Sequence, residues 1–471
     1  YQGENADVNI CIGKAEFNAP AAVLITDVFA MKKIANRIPS YSNLQIAEVN
    51  DGLLKYFLNY VFHYDSFKEG QLESLTRLLQ EKETIELLPT GSGKSLIYQL
   101  AALICPGKIV IISPLVSLMQ DQLDNLLYHG VDCAVAISHN NEKAVTELNS
   151  PGIVMIYISP ERLQIGGFRQ CINSMQTLNR IFAVAVDEAH CVSEWGHDFR
   201  TAYLNIGRTS RAVFNRNSMQ PTIIALTGTA STAVLKDVER ELEITDYDAI
   251  ITPETFDRKE LKYKVVRMPS GEKQRELVET INTVIPDFFG RTSNQFYRMR
   301  EDDTNCGIIF CPHVNGEYGV VRVKNYLDET LTKSDFYAGG KPKGVVKDTD
   351  WERHKREVAQ DFKSNKINTL VATKAFGMGI DKPNVRFTVH YGIPSSLESF
   401  YQEAGRAGRD GNESLCVLLL SNDNKKDDEK ILNPILPLEE VYSIVEKQRR
   451  DEGDDISRVM FFHMQAFKGI D

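Results

Sequence analysis

Two stretches of this sequence combine residue types that handle phosphate and water. In "PTGSGKS" (89–95), a glycine-rich turn runs directly into a lysine and a hydroxyl. Glycines let backbone amides close on a phosphate, and a helix starting behind them adds its N-terminal dipole. Pro89, Thr90, Gly91, Ser92 and Gly93 would form the cradle. Lys94 would reach the β and γ phosphates of ATP, and the Ser95 hydroxyl would hold Mg²⁺. The strict GxxxxGK[ST] spacing is not met, because Leu88 stands where its first glycine belongs.

The second stretch is "AVDEAHCVSEWGHDFR" (185–200). Asp187 and Glu188 end an apolar run. The first suits Mg²⁺, directly or through water, and the second suits orienting or deprotonating an attacking water. Alone, such a pair is as readily a solvated loop; downstream of a phosphate turn it reads as a hydrolysis site. His190, Trp195, His197, Phe199 and Arg200 follow within a dozen residues. Rings stack on bases and a guanidinium pairs with phosphate, so either a second ligand is read here or an ordinary loop is packed. In "YQEAGRAGRDG" (401–411), Arg406 and Arg409 lie three apart and on a helix would share a face. They could neutralise charge on a γ-phosphate, or form a solvated basic helix with glycine caps.

These residues need strands and turns to hold them. Apolar runs recur, each followed by a polar loop and a helical pattern: "TIELLP", "KIVIISP", "IVMIYISP", "IFAVAVDE" and "TIIALTG", then "CGIIFCP", "NTLVAT", "RFTVHYG" and "SLCVLLLS". Continuous runs of this length fit parallel sheets covered on both faces by helices, with ligands at the carboxyl ends of the strands. The expected fold class is α/β, in two tandem domains at 53–254 and 255–422. "ITPETFDRKELKYKVV" is the expected passage between them. Residues 1–52 form an extension of unknown role with one helical pattern, and 423–471 a helical tail that starts a further domain. "IPDFFGRTSNQFYRMREDDTN" (285–305) reads as an insertion or long loop, and "NKKDDEK" (424–430) as a solvated charge run.

The chain has 471 residues, 42% hydrophobic and 25% charged, enough for two cores. Its formal charge of −10 argues against coating nucleic acid by bulk electrostatics but leaves room for a local basic groove. Eight scattered cysteines include no CxxC pair, so reduced thiols and no zinc site are expected. No apolar run spans a bilayer, so no membrane partner is expected. The first residues show neither an initiator Met nor a signal sequence, which suggests a piece of something longer.

"PTGSGKS", "SPLVSLMQDQ", "DEAH", "CVSEWGHDFR", "ALTGTAS", "ATKAFGMGIDKPNVRFTVH" and "YQEAGRAGRDG" stand in the order of superfamily 2 helicases. The combination most closely resembles the RecQ family of DNA helicases, over roughly Phe62 to Ser421. The resemblance implies two RecA-like domains with an ATP cleft between them. It implies an ATP hydrolase that moves on single-stranded or partly duplex DNA, 3′ to 5′, in repair, recombination or defence. It would work in the cytoplasm at a bacterial nucleoid, or in a eukaryotic nucleus. "YDSFKEGQ" (64–71) resembles the adenine motif: Tyr64 stacks on the base, Lys68 stands where arginine is usual, and Gln71 bonds the adenine edge. Gln402 resembles the γ-phosphate sensor, and Arg406 and Arg409 the arginine fingers. Gly379 and Asp381 resemble a motif serving ATP and the bound strand. Ser193 to Arg200 matches an aromatic-rich loop that senses single-stranded DNA, and Thr227 and Thr229 the element coupling hydrolysis to movement.

Two departures stand out. No cysteine follows Cys416, so the family's cysteine-ligated zinc module is not encoded here, and Tyr337 in "FYAGG" replaces a histidine. An alternative is therefore a DNA-remodelling motor module of a larger complex, such as anti-phage defence, acting through protein partners or further domains and unwinding little by itself.

Overall fold

The structure, a computed structural model, describes residues 49–468 apart from 90, 106, 138–151, 175–179, 194–200, 216–219, 229–231, 301–302, 344–350, 377–381 and 451–453. The chain divides into two compact units, 1–256 and 257–471.

The first unit is built on a seven-stranded parallel sheet. Its strands are β1 (Thr84–Leu87), β2 (Lys108–Ile112), β3 (Ala134–Ile137), β4 (Met155–Ile158), β5 (Ile181–Asp187), β6 (Thr222–Thr227) and β7 (Ile250–Ile251), in spatial order 3-4-2-5-6-1-7. Every residue of β1, β2, β4, β5 and β6 is buried, as expected of a sheet covered on both faces. One face packs under α1 (Gln71–Leu79) and α2 (Ser95–Ile104), with Leu75, Leu78, Ile97 and Tyr98 meeting Ile111, Ala185 and Leu226. Phe168, Ile206, Phe214, Val238 and Leu242 cover the other face.

The second unit carries a six-stranded parallel sheet of β8 (Leu261–Met268), β9 (Cys306–Phe310), β10 (Ser334–Tyr337), β11 (Thr369–Ala372), β12 (Val385–His390) and β13 (Ser414–Ser421), in order 10-11-9-12-13-8. Gly307 on β9 is required by its neighbour: a Cβ there would lie 1.9 Å from the Phe387 ring. Helix α3 (Leu397–Ala404) packs Phe400 and Ala404 against this sheet. Helices α4 (Lys425–Ile431), α5 (Leu438–Arg450) and α6 (Asp455–Lys468) follow β13 and share a small core of Ile431, Val441, Val445 and Met464. They are tied to the sheet by Asp455, which accepts from Ser421 N at 2.7 Å and pairs with the buried Lys273. Burial lowers the Lys273 pKa against the pull of Asp455.

Three expectations need correction. The expected interdomain passage runs from Leu261 into β8, a strand of the second sheet, whose exposed lysines had disguised it as a linker. Residues 285–305 are not a bare loop: short helices at Ile285–Phe288 and Ser293–Phe296, the second with a capping box, bury Phe296 and Tyr297 in the core. "NKKDDEK" is largely helix α4, and its Asp428 is 2% exposed rather than solvated. Cys105, Cys133, Cys191, Cys306, Cys311 and Cys416 are buried. Among the described residues no helix is long and apolar enough to cross a membrane.

Candidate nucleotide-hydrolysis site

The phosphate loop joins β1 to α2. Gly91 and Gly93 adopt φ of +81° and +77°, the left-handed region that glycine enters without strain, so the loop can reverse in three residues. Ser92 N bonds the Pro89 carbonyl at 3.1 Å, and Ser95 is the first residue of α2. Lys94 Nζ lies 3.1 Å from the Leu88 carbonyl and 3.3 Å from that of Pro89, folded back on its own loop.

The adenine-motif residues brace that loop from outside. Gln71, 2% exposed, donates from Nε2 to the carbonyls of Ser92 at 2.7 Å and Gly93 at 3.1 Å, and accepts from Lys68 N at 2.8 Å. Lys68 Nζ reaches the Gly91 carbonyl at 2.9 Å. In this state both side chains hold the loop, while Tyr64 is 53% exposed.

Asp187 is the last residue of β5. Burial and the adjacent Glu188 push its carboxyl up to about 7, while Lys94 and the Glu188 amide pull it down. Glu188 adopts φ 50° and ψ 50°, a left-handed conformation that costs an ordinary residue free energy and clusters at functional sites. The turn directs Glu188 Oε2 to within 3.4 Å of His190 Nδ1. The same nitrogen lies 3.0 Å from Thr227 Oγ1 at the end of β6. Ser193 donates to Asp237 Oδ2 at 2.7 Å, which pins the start of the aromatic segment to the helix Thr232–Leu242.

One member of the site escaped sequence reasoning. Glu86 on β1 is completely buried, and neither carboxyl oxygen has a hydrogen-bond partner. It pairs in register with Leu226, as Asp187 does from the other side of β6. Two in-register residues flanking one strand lie on the same sheet face, about 10 Å apart. Burial holds the Glu86 acid well above the usual carboxylate range, Lys94 opposing and Asp187 reinforcing it. The signal was a lone acid inside the apolar run "TIELLP".

This donor chemistry fits a divalent cation: clustered carboxyls share one lysine, and a hydroxyl heads α2. Among the described residues no group of three or more His, Cys, Asp or Glu could hold a metal.

In the second unit α3 ends at Ala404, so Arg406 and Arg409 do not share a helical face as expected. Gly405 caps the helix and successive turns follow, with Arg406 N on Glu403 O and Ala407 N on Ala404 O. Arg258 fastens the turn through the carbonyls of Ala407 (3.2 Å) and Gly408 (3.3 Å), and Arg386 pairs with Asp410. Arg406 is 8% exposed and Gln402 half-buried. Thr90, Trp195, His197, Phe199, Arg200, Thr229, Gly379 and Asp381 lie outside the described residues.

Residues 68–238 match the DEAD/DEAH box helicase family and 292–411 the helicase conserved C-terminal domain. The ATP-dependent DNA helicase RecQ of Bacillus subtilis (strain 168) is 34% identical over 369 residues, 77% of this chain and 55% of that protein. The probable ATP-dependent DNA helicase RecS of the same organism is 31% identical over 402 residues, 84% of this chain and 73% of that protein. The chain thus spans about half the length of the RecQ relative. Among solved structures, the DEAD-box helicase Mss116 bound to ssRNA gives a TM-score of 0.60 at 17% identity, over 86% of this chain and 84% of that one. The DUF1998 helicase MrfA bound to DNA also gives 0.60, at 18% identity, over 80% and 52%. Both share the fold of two helicase-type parallel-sheet domains. Identity to two RecQ-type helicases across most of the chain, together with the ordered motifs, makes it a member of the RecQ family of superfamily 2 helicases.

Proposed function

We propose that the chain is a DNA-stimulated ATPase that translocates 3′ to 5′ on single-stranded DNA and unwinds duplex. The observation that carries this reading is the His190 bridge, which joins the hydrolysis acid Glu188 to Thr227 of the coupling element. In this reading Gly91, Gly93 and Lys94 bind the phosphates, and Ser95 and Asp187 hold Mg²⁺. The cation would neutralise phosphate charge, and Glu188 orients the water. Gln402, Arg406 and Arg409 serve the γ-phosphate. Trp195, Phe199 and Arg200 meet the DNA strand, and Ser193 anchors that segment.

The test is ATP hydrolysis with single-stranded DNA, duplex, forks and RNA side by side, next to strand displacement. Greater stimulation by single-stranded DNA than by RNA, with displacement of a 5′-ended strand, supports the reading. Robust DNA-stimulated hydrolysis without displacement assigns the chain instead to a motor module of a larger assembly. Stimulation by RNA alone overturns both.

A further inference from the structure

His390 is the last residue of β12, and its ring is wholly buried. Nε2 lies 3.1 Å from Oε2 of Glu403, a side chain 12% exposed. Phe310 stacks on the ring at 5.3 Å between centroids with planes 22° apart, and Phe400 packs beside it at 4.8 Å. Phe400 and Glu403 lie three apart on α3, so one imidazole grips one face of that helix at two points.

What this grip controls follows from the chain. Gln402 is the residue next to Glu403. The turn bearing Arg406 and Arg409 starts from Glu403 itself, whose carbonyl accepts from Arg406 N at 3.3 Å. His390 and Glu403 also line a cavity of about 350 Å³ with Phe310, Lys374 and Arg458. A buried pair of this kind adds little stability over apolar packing of equal volume. Its contribution is a fixed distance and direction.

We infer that His390 is a positioning residue for ATP hydrolysis: through Glu403 it orients the turn that carries Arg406 and Arg409. This rests on the proposed ATPase reading, with those arginines at the γ-phosphate. A misplaced charge-stabilising group costs about 10- to 100-fold in turnover without a matching loss of ground-state binding.

The experiment compares wild type, His390→Phe, Glu403→Gln and Glu403→Ala. The readouts are kcat and KM for ATP with single-stranded DNA, affinity for a non-hydrolysable ATP analogue, and thermal melting. His390→Phe keeps the packing against Phe310 and Phe400 and removes the contact to Glu403. Its kcat should fall about tenfold or more, with KM and analogue affinity changed less than about twofold. Glu403→Ala should show the same split, and Glu403→Gln, which keeps a polar side chain of the same size against the ring, should recover most of kcat. Wild-type kcat in His390→Phe or in Glu403→Ala overturns the inference, as does an equal loss in Glu403→Gln. If His390→Phe does not fold, the two Glu403 variants decide. Absence of DNA-stimulated hydrolysis in wild type overturns the proposed function instead, a distinct outcome.

Discussion

His190 Nδ1 lies 3.0 Å from Thr227 Oγ1, a buried contact between residues 37 apart in sequence. The same nitrogen faces Glu188 Oε2 at 3.4 Å, so one ring sees both Glu188 and the end of β6. Thr227→Val keeps the shape and removes the hydroxyl that faces the His190 ring, a buried hydrogen bond worth about 0.5–1.5 kcal/mol. The expected result is strand displacement lost and DNA stimulation reduced, with nucleotide binding retained. Paired ATPase and displacement assays check it; unchanged displacement would remove Thr227 from the coupling path.

Lys94→Ala and Glu188→Gln should fail differently. Lys94 belongs to the phosphate loop, so its truncation should abolish both nucleotide binding and turnover. Glu188→Gln keeps size and hydrogen bonding but not the base, and should lower kcat about 100-fold or more while binding persists. Fluorescent-nucleotide titration beside steady-state hydrolysis separates the two. Normal turnover in either variant contradicts the assignment.

Glu86→Leu is expected to stabilise the first unit. The substitution removes a wholly buried carboxyl whose oxygens have no hydrogen-bond partner and supplies apolar volume in its place. Relief of an unsatisfied buried group is worth about 1–3 kcal/mol, and each kcal/mol moves Tm by about 2–4 °C in a unit of this size. A lower melting temperature would show that the acid has a bonded role in the fold.

Asp428 gives the tail a pH dependence. Burial, and then the carboxyl of Asp454, push its pKa up to about 7. An unfolded aspartate titrates near about 4. Between those values the unfolded chain releases a proton that the folded one keeps, so the stability is full below about pH 4 and is lost as pH rises to about 7. Melting of the second unit across that window should decline less steeply in Asp428→Asn than in wild type. Parallel curves would refute the assignment.

Contiguous chemistry was legible in the sequence. "PTGSGKS" and "DEAH" are each read from neighbouring residues, and the nine apolar runs all became strands because buried parallel strands have no polar face to confuse them. Half-exposed strands were not legible. "LKYKVVRM" exposes four consecutive residues at the sheet edge, and "SDFY" is only partly buried, so neither shows an apolar run. Charge misled at Asp428, a buried acid in a run of exposed ones. The partner of His190 could not be read at all, because only the pairing of β5 with β6 brings Thr227 beside it. The arginine turn was misjudged by extending helical spacing past Gly405, where the helix had already stopped.

The strand order also sets when a working site can exist during synthesis. β1, which presents the phosphate loop, has only β6 and β7 as neighbours, and both are encoded more than 130 residues after it. A nascent chain that has passed residue 200 already contains both signature motifs in full. Until Thr222–Thr227 emerges and slides between β5 and β1, those motifs belong to strands with nothing to join them. Truncation before that point therefore leaves a product with both the phosphate turn and the DEAH acids but no strand to bring them together.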